Sequence, residues 1–183
     1  MRPSVVGPDH LEPPFPVVVA SQIEAGFGRG SSELGIPTVN IPPKDLAQLA
    51  PGVYFGWASV APRRVDGQVP ATTVEKVGER EIEFNFGAEL DAAEVNCVYP
   101  MVMSIGWNPF FDNKEKSAEI HLLHKFAHQF YGAMIKVAVT GFVREEQKYD
   151  SLDALIADIR TDMAVAQRSL DRPAYQEVAR VNF

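Results

Sequence analysis

The sequence predicts a mainly β protein: a closed or nearly closed antiparallel barrel followed by one long helix. Over most of the 183 residues, short runs rich in β-branched and aromatic residues alternate between two faces, which is typical of strands. Glycine and proline separate these runs and mark turns. Strands that follow one another through turn-rich links favour an antiparallel barrel, because closing the sheet removes its exposed edges.

About six runs have strand character. In the second run, alternation places Val53, Phe55 and Trp57 on one face and Tyr54 on the other. The weakest candidate is the third run, because it is short and charged. In chain order the runs are PVVVASQI, GVYFGWASV, EIEFNF, YPMVMSIGW, AEIHLLHKF and YGAMIKVAVTGFV.

A segment that starts at Ser151 breaks this pattern and predicts an amphipathic helix. Asp150 or Ser151 can cap its N-terminus, and Pro173 helps to stop it. Because an apolar stripe must pack against something, we expect the helix to cover a barrel end or a sheet face. The residues at helical spacing are Leu152, Leu155, Ile156, Ile159, Met163, Ala166 and Leu170.

Length and composition predict one domain over residues 17–183, preceded by a loose N-terminal arm over residues 1–16. A hydrophobic share of 46% and a charged share of 22% are ordinary for a folded globular protein. Residues 62–96 are charged, irregular and long for a connection, and we interpret them as an insertion that carries one hairpin.

Charge and cysteine content disfavour several classes of protein. The net charge of −7 disfavours nucleic acid or an anionic membrane as the main partner. No apolar run reaches the ~20 residues of a membrane helix. The N-terminus is too acidic and proline-rich for a signal peptide. The single cysteine, Cys97, cannot form an internal disulfide, which favours an intracellular protein, and its apolar flanks predict a buried structural thiol.

The stretch GFGRGSSELGIPTVN, residues 26–40, is the first candidate for chemistry. Its glycines allow backbone N–H groups to approach a phosphate, although the spacing fits neither a Walker loop nor a dinucleotide fingerprint. In an extended segment after Pro37, Thr38 and Asn40 point the same way, and two neutral oxygen ligands suit Mg²⁺. The alternative is a polar edge strand after a glycine turn.

The second candidate stretch covers residues 104–126. Trp107, Phe110 and Phe111 cluster in a loop, which a flat aromatic ligand would explain. On the following strand, Glu119 can act as a general base, or it is only a solvated strand residue.

Glu119 and His121 share one face of that strand. His121 and His124 are three residues apart and point to opposite faces, which excludes a zinc site made by this pair.

Arg144 leaves the last long strand just before the helix and could bind a phosphate or the edge of a ligand. The alternative is a salt bridge to Glu145, Glu146 or Asp150.

Taken together and in order, these stretches resemble the single-function riboflavin kinases of eukaryotes over most of residues 17–172, apart from 62–96. The resemblance rests on GFGRGSSELGIPTVN, GVYFGWASV, MVMSIGWNPFFDNKEKSAEIHLLHKF and FYGAMIKVAVTGFVREEQKYDSLDALIADI. It implies a six-stranded Greek-key antiparallel barrel with a C-terminal helix. It also implies transfer of the ATP γ-phosphate to the 5′-hydroxyl of riboflavin, which gives FMN and ADP.

The resemblance also implies roles for particular residues. Glu119 maps to the catalytic base, Arg144 lies near the flavin, and Thr38 and Asn40 hold the metal and phosphates. Two departures from the family pattern, Val39 and Ile120, face away from these residues. The other ligand-binding positions are Gly28, Arg29, Gly30, Ser31, Gly35, Pro37 and Asn108.

The implied metal is Mg²⁺, with Zn²⁺ or Mn²⁺ as alternatives, and the implied partners are ATP and riboflavin rather than nucleic acid or membrane. We expect a monomer in the cytoplasm, with a mitochondrial or other organelle pool as the alternative. Two rival functions on the same barrel are a non-catalytic flavin carrier and an inactive interaction module that uses the helix.

Overall fold

The computed structural model describes residues 1–25, 38–107 and 116–183. Over these ranges the chain forms eight strands, two α-helices and one short 3-10 helix, Pro43–Leu46. The strands are β1 (Val17–Gln22), β2 (Thr38–Ile41), β3 (Gly52–Ala61), β4 (Thr73–Val77), β5 (Arg80–Phe84), β6 (Tyr99–Trp107), β7 (Lys116–Leu122) and β8 (Met134–Arg144). The helices are α1 (Leu152–Leu170) and α2 (Pro173–Asn182).

Six strands form one curled sheet in the order β1-β8-β3-β6-β7-β2, and every neighbouring pair is antiparallel. The two edges of the sheet meet just after β1, where the Glu24 N–H donates to the Asn40 carbonyl at 2.8 Å. The predicted mainly β, antiparallel, six-stranded fold with a C-terminal helix is therefore confirmed. The sixth strand is β2 rather than EIEFNF, which forms β5 outside this sheet.

The central strand β3 is buried on both faces, as its almost continuous apolar sequence requires. Tyr54 points into the barrel interior. Val53, Phe55 and Trp57 point outward and pack with residues of α1 and α2 in a second core. The Trp57 indole Nε1 donates to the Tyr175 carbonyl at 2.9 Å, which fixes α2 against the sheet. The prediction that Tyr54 lies on the opposite face of this strand from Val53, Phe55 and Trp57 is therefore confirmed.

Helix α1 begins where the sequence predicts, and the Ser151 hydroxyl accepts a hydrogen bond from the Ala154 N–H at 3.1 Å. It covers the outer face of the sheet. The second helix, α2, is not among the predicted elements, because Pro173 was interpreted as a stop. Proline is also favoured in the first turn of a helix, where its missing N–H costs nothing, and Pro173 starts α2. Within the described ranges, no helix could cross a membrane.

The N-terminal arm is packed along its first residues, whereas its composition predicted a loose segment. The Arg172 guanidinium donates to the carbonyls of Val6 at 2.6 Å, Gly7 at 2.8 Å and Pro8 at 3.0 Å. The Tyr175 hydroxyl also donates to the Pro8 carbonyl, at 2.7 Å. The helix pair therefore satisfies the arm's backbone carbonyls, which compensates for the ordering of these residues.

The segment 62–96 contains the predicted hairpin, made by β4 and β5 with a turn at Gly78, where φ is +65°. Phe84 and Phe86 pack beneath it in a small apolar cluster that includes Tyr131. Cys97, which follows the segment, is half-buried rather than buried as predicted.

Candidate active site

The candidate site is a cavity of about 270 Å³ between the outer face of the sheet and α1. Strands β3, β6 and β7 supply one wall, and the segment after β8 closes one side. The N-terminal half of α1 supplies the opposite wall, which is apolar. The polar lining residues are Ser104, Glu119, His121, Arg144, Glu146, Gln147, Tyr149 and Asp162, and the apolar ones on α1 are Leu152, Leu155, Ile156 and Ile159.

The register of β2 against β7 brings the predicted functional residues together. Asn40 pairs directly with Glu119, and Thr38 pairs directly with His121. Directly opposed residues on antiparallel strands have Cβ atoms ~5 Å apart. On its other side Glu119 pairs with Ser104 of β6. The side chains of these three strands therefore form one polar surface, of which Ser104, Glu119 and His121 line the cavity.

Glu119 has a strongly perturbed carboxyl group. Burial disfavours its charged form, and the nearby Glu146 carboxylate adds like-charge repulsion. Together these effects raise the pKa of Glu119 to about 7. A carboxylate with a pKa near neutrality can accept a proton and release it again under physiological conditions, as a general base must.

His121 is a buried, neutral imidazole with an exposed fraction of 5%. Burial lowers the pKa of His121 to about 4. Its Nδ1 lies 3.2 Å from the Thr38 hydroxyl oxygen. In the tautomer whose Nδ1 is unprotonated, the ring accepts the Thr38 proton and orients the hydroxyl lone pairs toward the polar surface.

The donor atoms here fit a hard divalent cation. Thr38 and Asn40 offer neutral oxygens on the same face of β2, beside the Glu119 carboxylate. Mg²⁺ takes few protein oxygens and completes its shell with water and phosphate, whereas Zn²⁺ prefers nitrogen and sulfur ligands. Among the described residues, this surface included, no cluster of three or more His, Cys, Asp or Glu side chains could hold a metal.

Arg144 lines the cavity, but its guanidinium is engaged by α1. Nε donates to Asp162 Oδ1 at 3.0 Å and Nη2 donates to Asp162 Oδ2 at 2.8 Å, a bidentate pair. Asp158 lies 3.3 Å from Nη2. The alternative prediction was a salt bridge from Arg144 to Glu145, Glu146 or Asp150. Arg144 does form salt bridges, but with Asp158 and Asp162, so the predicted partners were wrong. The actual carboxylates are four residues apart on α1, which places them on one helix face.

Arg2 was not among the residues singled out from the sequence. Its two terminal nitrogens contact Asp158 and Asp162, the same carboxylates that hold Arg144. The Tyr149 hydroxyl donates to Asp158 as well. The N-terminus, the cavity rim and α1 are thus tied by one ionic cluster. No local signal in the sequence could have revealed a pair separated by 156 residues.

Several predicted ligand-binding residues lie outside the described residues. They are Gly28, Arg29, Gly30, Ser31, Gly35, Pro37 and Asn108, together with the aromatic residues Phe110 and Phe111. Trp107, at the end of β6, is 52% exposed, and the Lys116 ammonium lies 5.4 Å from the ring centroid. His124, the other residue of the rejected zinc pair, stacks on Tyr99 and bonds to Glu94 at 2.7 Å.

Comparisons with known proteins show which family the whole chain resembles. The family model described as Flavokinase, riboflavin kinase, matches residues 13–170. The riboflavin kinase of Scheffersomyces stipitis is 49% identical over 176 residues, covering 96% of each chain. That of Meyerozyma guilliermondii is 42% identical, also over 96% of each chain.

A solved structure shares the fold. The crystal structure of riboflavin kinase from Trypanosoma brucei superposes with a TM-score of 0.57 at 26% identity. The match covers 89% of this chain and 85% of that one. With the family model spanning most of the sequence, these likenesses lead to one conclusion: the chain belongs to the riboflavin kinase family.

Proposed function

We propose that this chain transfers the γ-phosphate of ATP to the 5′-hydroxyl of riboflavin and releases FMN and ADP. The riboflavin kinase activity follows from membership of the family, supported by 49% identity over nearly the full length of a curated relative. The observation that carries the mechanism is that Glu119, which lines a cavity that is apolar on one side, pairs directly with Asn40 of the neighbouring strand.

The acceptor fits the asymmetry of this cavity. Leu155, Ile156 and Ile159 offer an apolar wall for a flat aromatic ring system. Glu119 and Ser104 lie on the opposite, polar wall. A molecule with a flat ring and a hydroxylated chain would place its ring against α1 and direct its chain toward the sheet. Riboflavin has both parts.

Glu119 is the proposed general base. A primary alcohol is a poor nucleophile until its proton is removed, and a positioned carboxylate contributes roughly 10²–10⁴ in rate. The pKa of about 7 that burial and Glu146 give this carboxyl lets it hold the proton during transfer and then return it to solvent. A solvated surface glutamate, with its pKa near 4.5, would be a weaker base.

Thr38 and Asn40 are the residues that would hold Mg²⁺ on the polar surface beside Glu119. When bound, the ion would neutralise charge on the transferred phosphoryl group. His121 would hold the Thr38 hydroxyl in orientation, because its Nδ1 lies 3.2 Å from that oxygen. Zn²⁺ and Mn²⁺ remain alternatives to test.

The remaining ligand-binding roles rest on the family resemblance. Gly28, Arg29, Gly30, Ser31, Gly35 and Pro37 would surround the nucleotide, and Asn108 would contact a substrate. Arg144 would border the flavin with its guanidinium held by Asp162. We further propose that the enzyme acts as a monomer in the cytoplasm, which light scattering and cell fractionation can check.

The activity is tested by incubating the purified chain with riboflavin, ATP and Mg²⁺ and separating the flavins by chromatography with fluorescence detection. FMN that forms only when both ATP and metal are present is the expected result. Riboflavin that co-elutes with the protein without being phosphorylated would contradict the kinase and favour the flavin carrier. Replacing Mg²⁺ with Zn²⁺ or Mn²⁺ in the same assay ranks the metals.

A further inference from the structure

Glu146 lies at the cavity mouth, and in the mechanism above it only raises the pKa of Glu119 and has no assigned contact with a substrate. It follows β8 by two residues, and its side chain lies against Ser104 and Gly106 of β6. The Ser104 hydroxyl donates to its Oε1. Because Ser104 is the cross-strand partner of Glu119, one serine separates the two carboxylates. The site therefore contains a second acidic group next to the proposed base.

Gly106 provides the space in which the Glu146 carboxylate rests. A Cβ atom built at Gly106 would lie 2.4 Å from Oε2, 2.8 Å from Cδ and 2.9 Å from Oε1 of Glu146. The backbone of Gly106 does not lie in the left-handed region, so its conformation does not require glycine. The missing side chain is needed for the close approach of the carboxylate.

The placement of Glu146 is not explained by an ion pair. Among the described residues, no cation lies within salt-bridge distance of it, and the neighbouring Arg144 is turned toward Asp162. In the described part of the chain, Ser104 is the one hydrogen-bond donor to Glu146, and its hydroxyl donates only to Oε1. The carboxylate therefore presents acceptor lone pairs to the cavity. Hydroxyl groups of a ligand are the donors that would satisfy them.

We propose that Glu146 binds the hydroxylated chain of the acceptor, so that the terminal hydroxyl of that chain reaches Glu119. Ser104 and Gly106 hold the carboxylate in position. The inference rests on the proposed function, which supplies an acceptor with several hydroxyls. The two acidic residues then have different roles, because Glu119 takes a proton whereas Glu146 orients the chain. Repulsion from Glu146 also contributes to the raised pKa of Glu119.

The test compares the binding of two flavins, which needs no turnover. Riboflavin carries the hydroxylated chain, and lumiflavin has the same ring without it. Flavin fluorescence quenching gives Kd for each with the wild type, Glu146→Ala and Glu146→Gln. We expect Glu146→Ala to weaken riboflavin binding about tenfold to hundredfold, the size of one or two hydrogen bonds to a charged group. Lumiflavin binding should change less than twofold.

Gly106→Ala provides an independent check, because the added methyl group displaces the Glu146 carboxylate. It should cause the same selective loss of riboflavin affinity. Adding Gly106→Ala to Glu146→Ala should cause no further loss, because the displaced group is already gone. Glu145→Ala is the matched control, since this exposed carboxylate one residue away does not line the cavity.

Two outcomes would overturn the inference. Equal weakening of both flavins would assign Glu146 a structural role, and unchanged riboflavin affinity would remove it from the acceptor site. Failure of the proposed function is recognised separately, because the wild type would then form no FMN. A normal preference for riboflavin in Glu146→Ala, in a wild type that does form FMN, would reject this inference alone.

Discussion

Asn40 on β2 and Glu119 on β7 are direct cross-strand partners, and the Glu24–Asn40 bridge that joins the sheet edges lies at the same point. The proposed metal ligand and the proposed base are thus fixed by backbone pairing rather than by loops. A one-residue slip of β2 would turn Thr38 and Asn40 into the barrel and bring Val39 out. The fold therefore specifies which polar side chains of β2 lie beside Glu119 and His121.

The pH dependence of kcat should follow the ionisation of Glu119. The base must be unprotonated to accept the alcohol proton, and its pKa is raised to about 7. Activity should therefore fall below pH 7, by about tenfold per pH unit, and level off above it. Steady-state kinetics between pH 5.5 and 9 at saturating substrates would show this limb. A profile that is flat down to pH 5.5 would assign the proton to another group.

Glu119 and His121 should have opposite effects on the pH dependence of stability. The folded chain holds the Glu119 proton up to about pH 7, whereas the unfolded chain releases it near 4.5, so the Glu119 contribution is lost as pH rises through this window. The folded chain keeps His121 neutral down to about pH 4, whereas the unfolded chain protonates it below about 6.5. The His121 contribution is therefore lost as pH falls through that window.

Glu119→Gln separates these two effects. Without the glutamate, the His121 contribution is no longer offset by that of Glu119. As the pH is lowered from 6.5 to 4.5, the free energy of unfolding of Glu119→Gln should therefore fall more steeply than that of the wild type. The difference in slope should be on the order of 1 kcal/mol per pH unit. Urea unfolding at several pH values measures it. Parallel curves for the two proteins would show that the Glu119 carboxyl is not perturbed by folding.

The sequence was enough to predict which polar side chains of this site share a face of their strand. Period-two alternation alone places Glu119 and His121 on the same face of one strand, and Thr38 and Asn40 on the same face of a second strand. In the structure the two strands pair, and all four side chains lie on one surface of the sheet. Sequence alone could not give the register between β2 and β7. The roles of these residues stay predictions.

The Thr38 hydroxyl should affect the requirement for metal. Thr38→Val keeps the shape but removes the oxygen, so the Mg²⁺ concentration for half-maximal activity should rise about tenfold, the effect of losing one ligand or one hydrogen bond to a charged group. Thr38→Ser retains the oxygen and is the matched control. Magnesium titrations at fixed ATP supply the measurement. An unchanged requirement in Thr38→Val would exclude this residue as a metal ligand.

The cluster around Arg2 should stabilise the helix wall of the cavity. Arg2→Met leaves Asp158 and the buried Asp162, which is 1% exposed, with Arg144 as their remaining cation. The free energy of unfolding should fall by about 1–3 kcal/mol, less than for a fully buried pair because Arg2 is 19% exposed. KM for riboflavin should rise more than KM for ATP, because α1 lines the proposed flavin cavity.

Arg180→Met is the control for this prediction. Arg180 pairs with Glu177 on the exposed face of α2, where a pair contributes little. Its removal should change neither stability nor either KM. Equal behaviour of the two variants in urea unfolding and in steady-state kinetics would show that the Arg2 cluster does not support the cavity.

Contacts between residues that are far apart in the sequence could not be predicted. Arg144 could be identified as a cavity residue, but its partner Asp162 depends on how α1 crosses the sheet. Arg2 belongs to a segment whose prolines and acidic residues predicted a loose arm, and only the packed helix pair gives it partners. Pro173 was predicted to stop α1 but instead begins α2, because proline is found both after the end of a helix and in its first turn.

The central claim is that Glu119 is the base for phosphorylation of riboflavin. Single-turnover kinetics of FMN formation by Glu119→Gln, with riboflavin and ATP affinities measured in parallel, tests it most directly. We predict a rate about 10²–10⁴ below that of the wild type, with both substrates still bound. A rate within a few-fold of the wild type would contradict the claim and show that the alcohol proton leaves by another route.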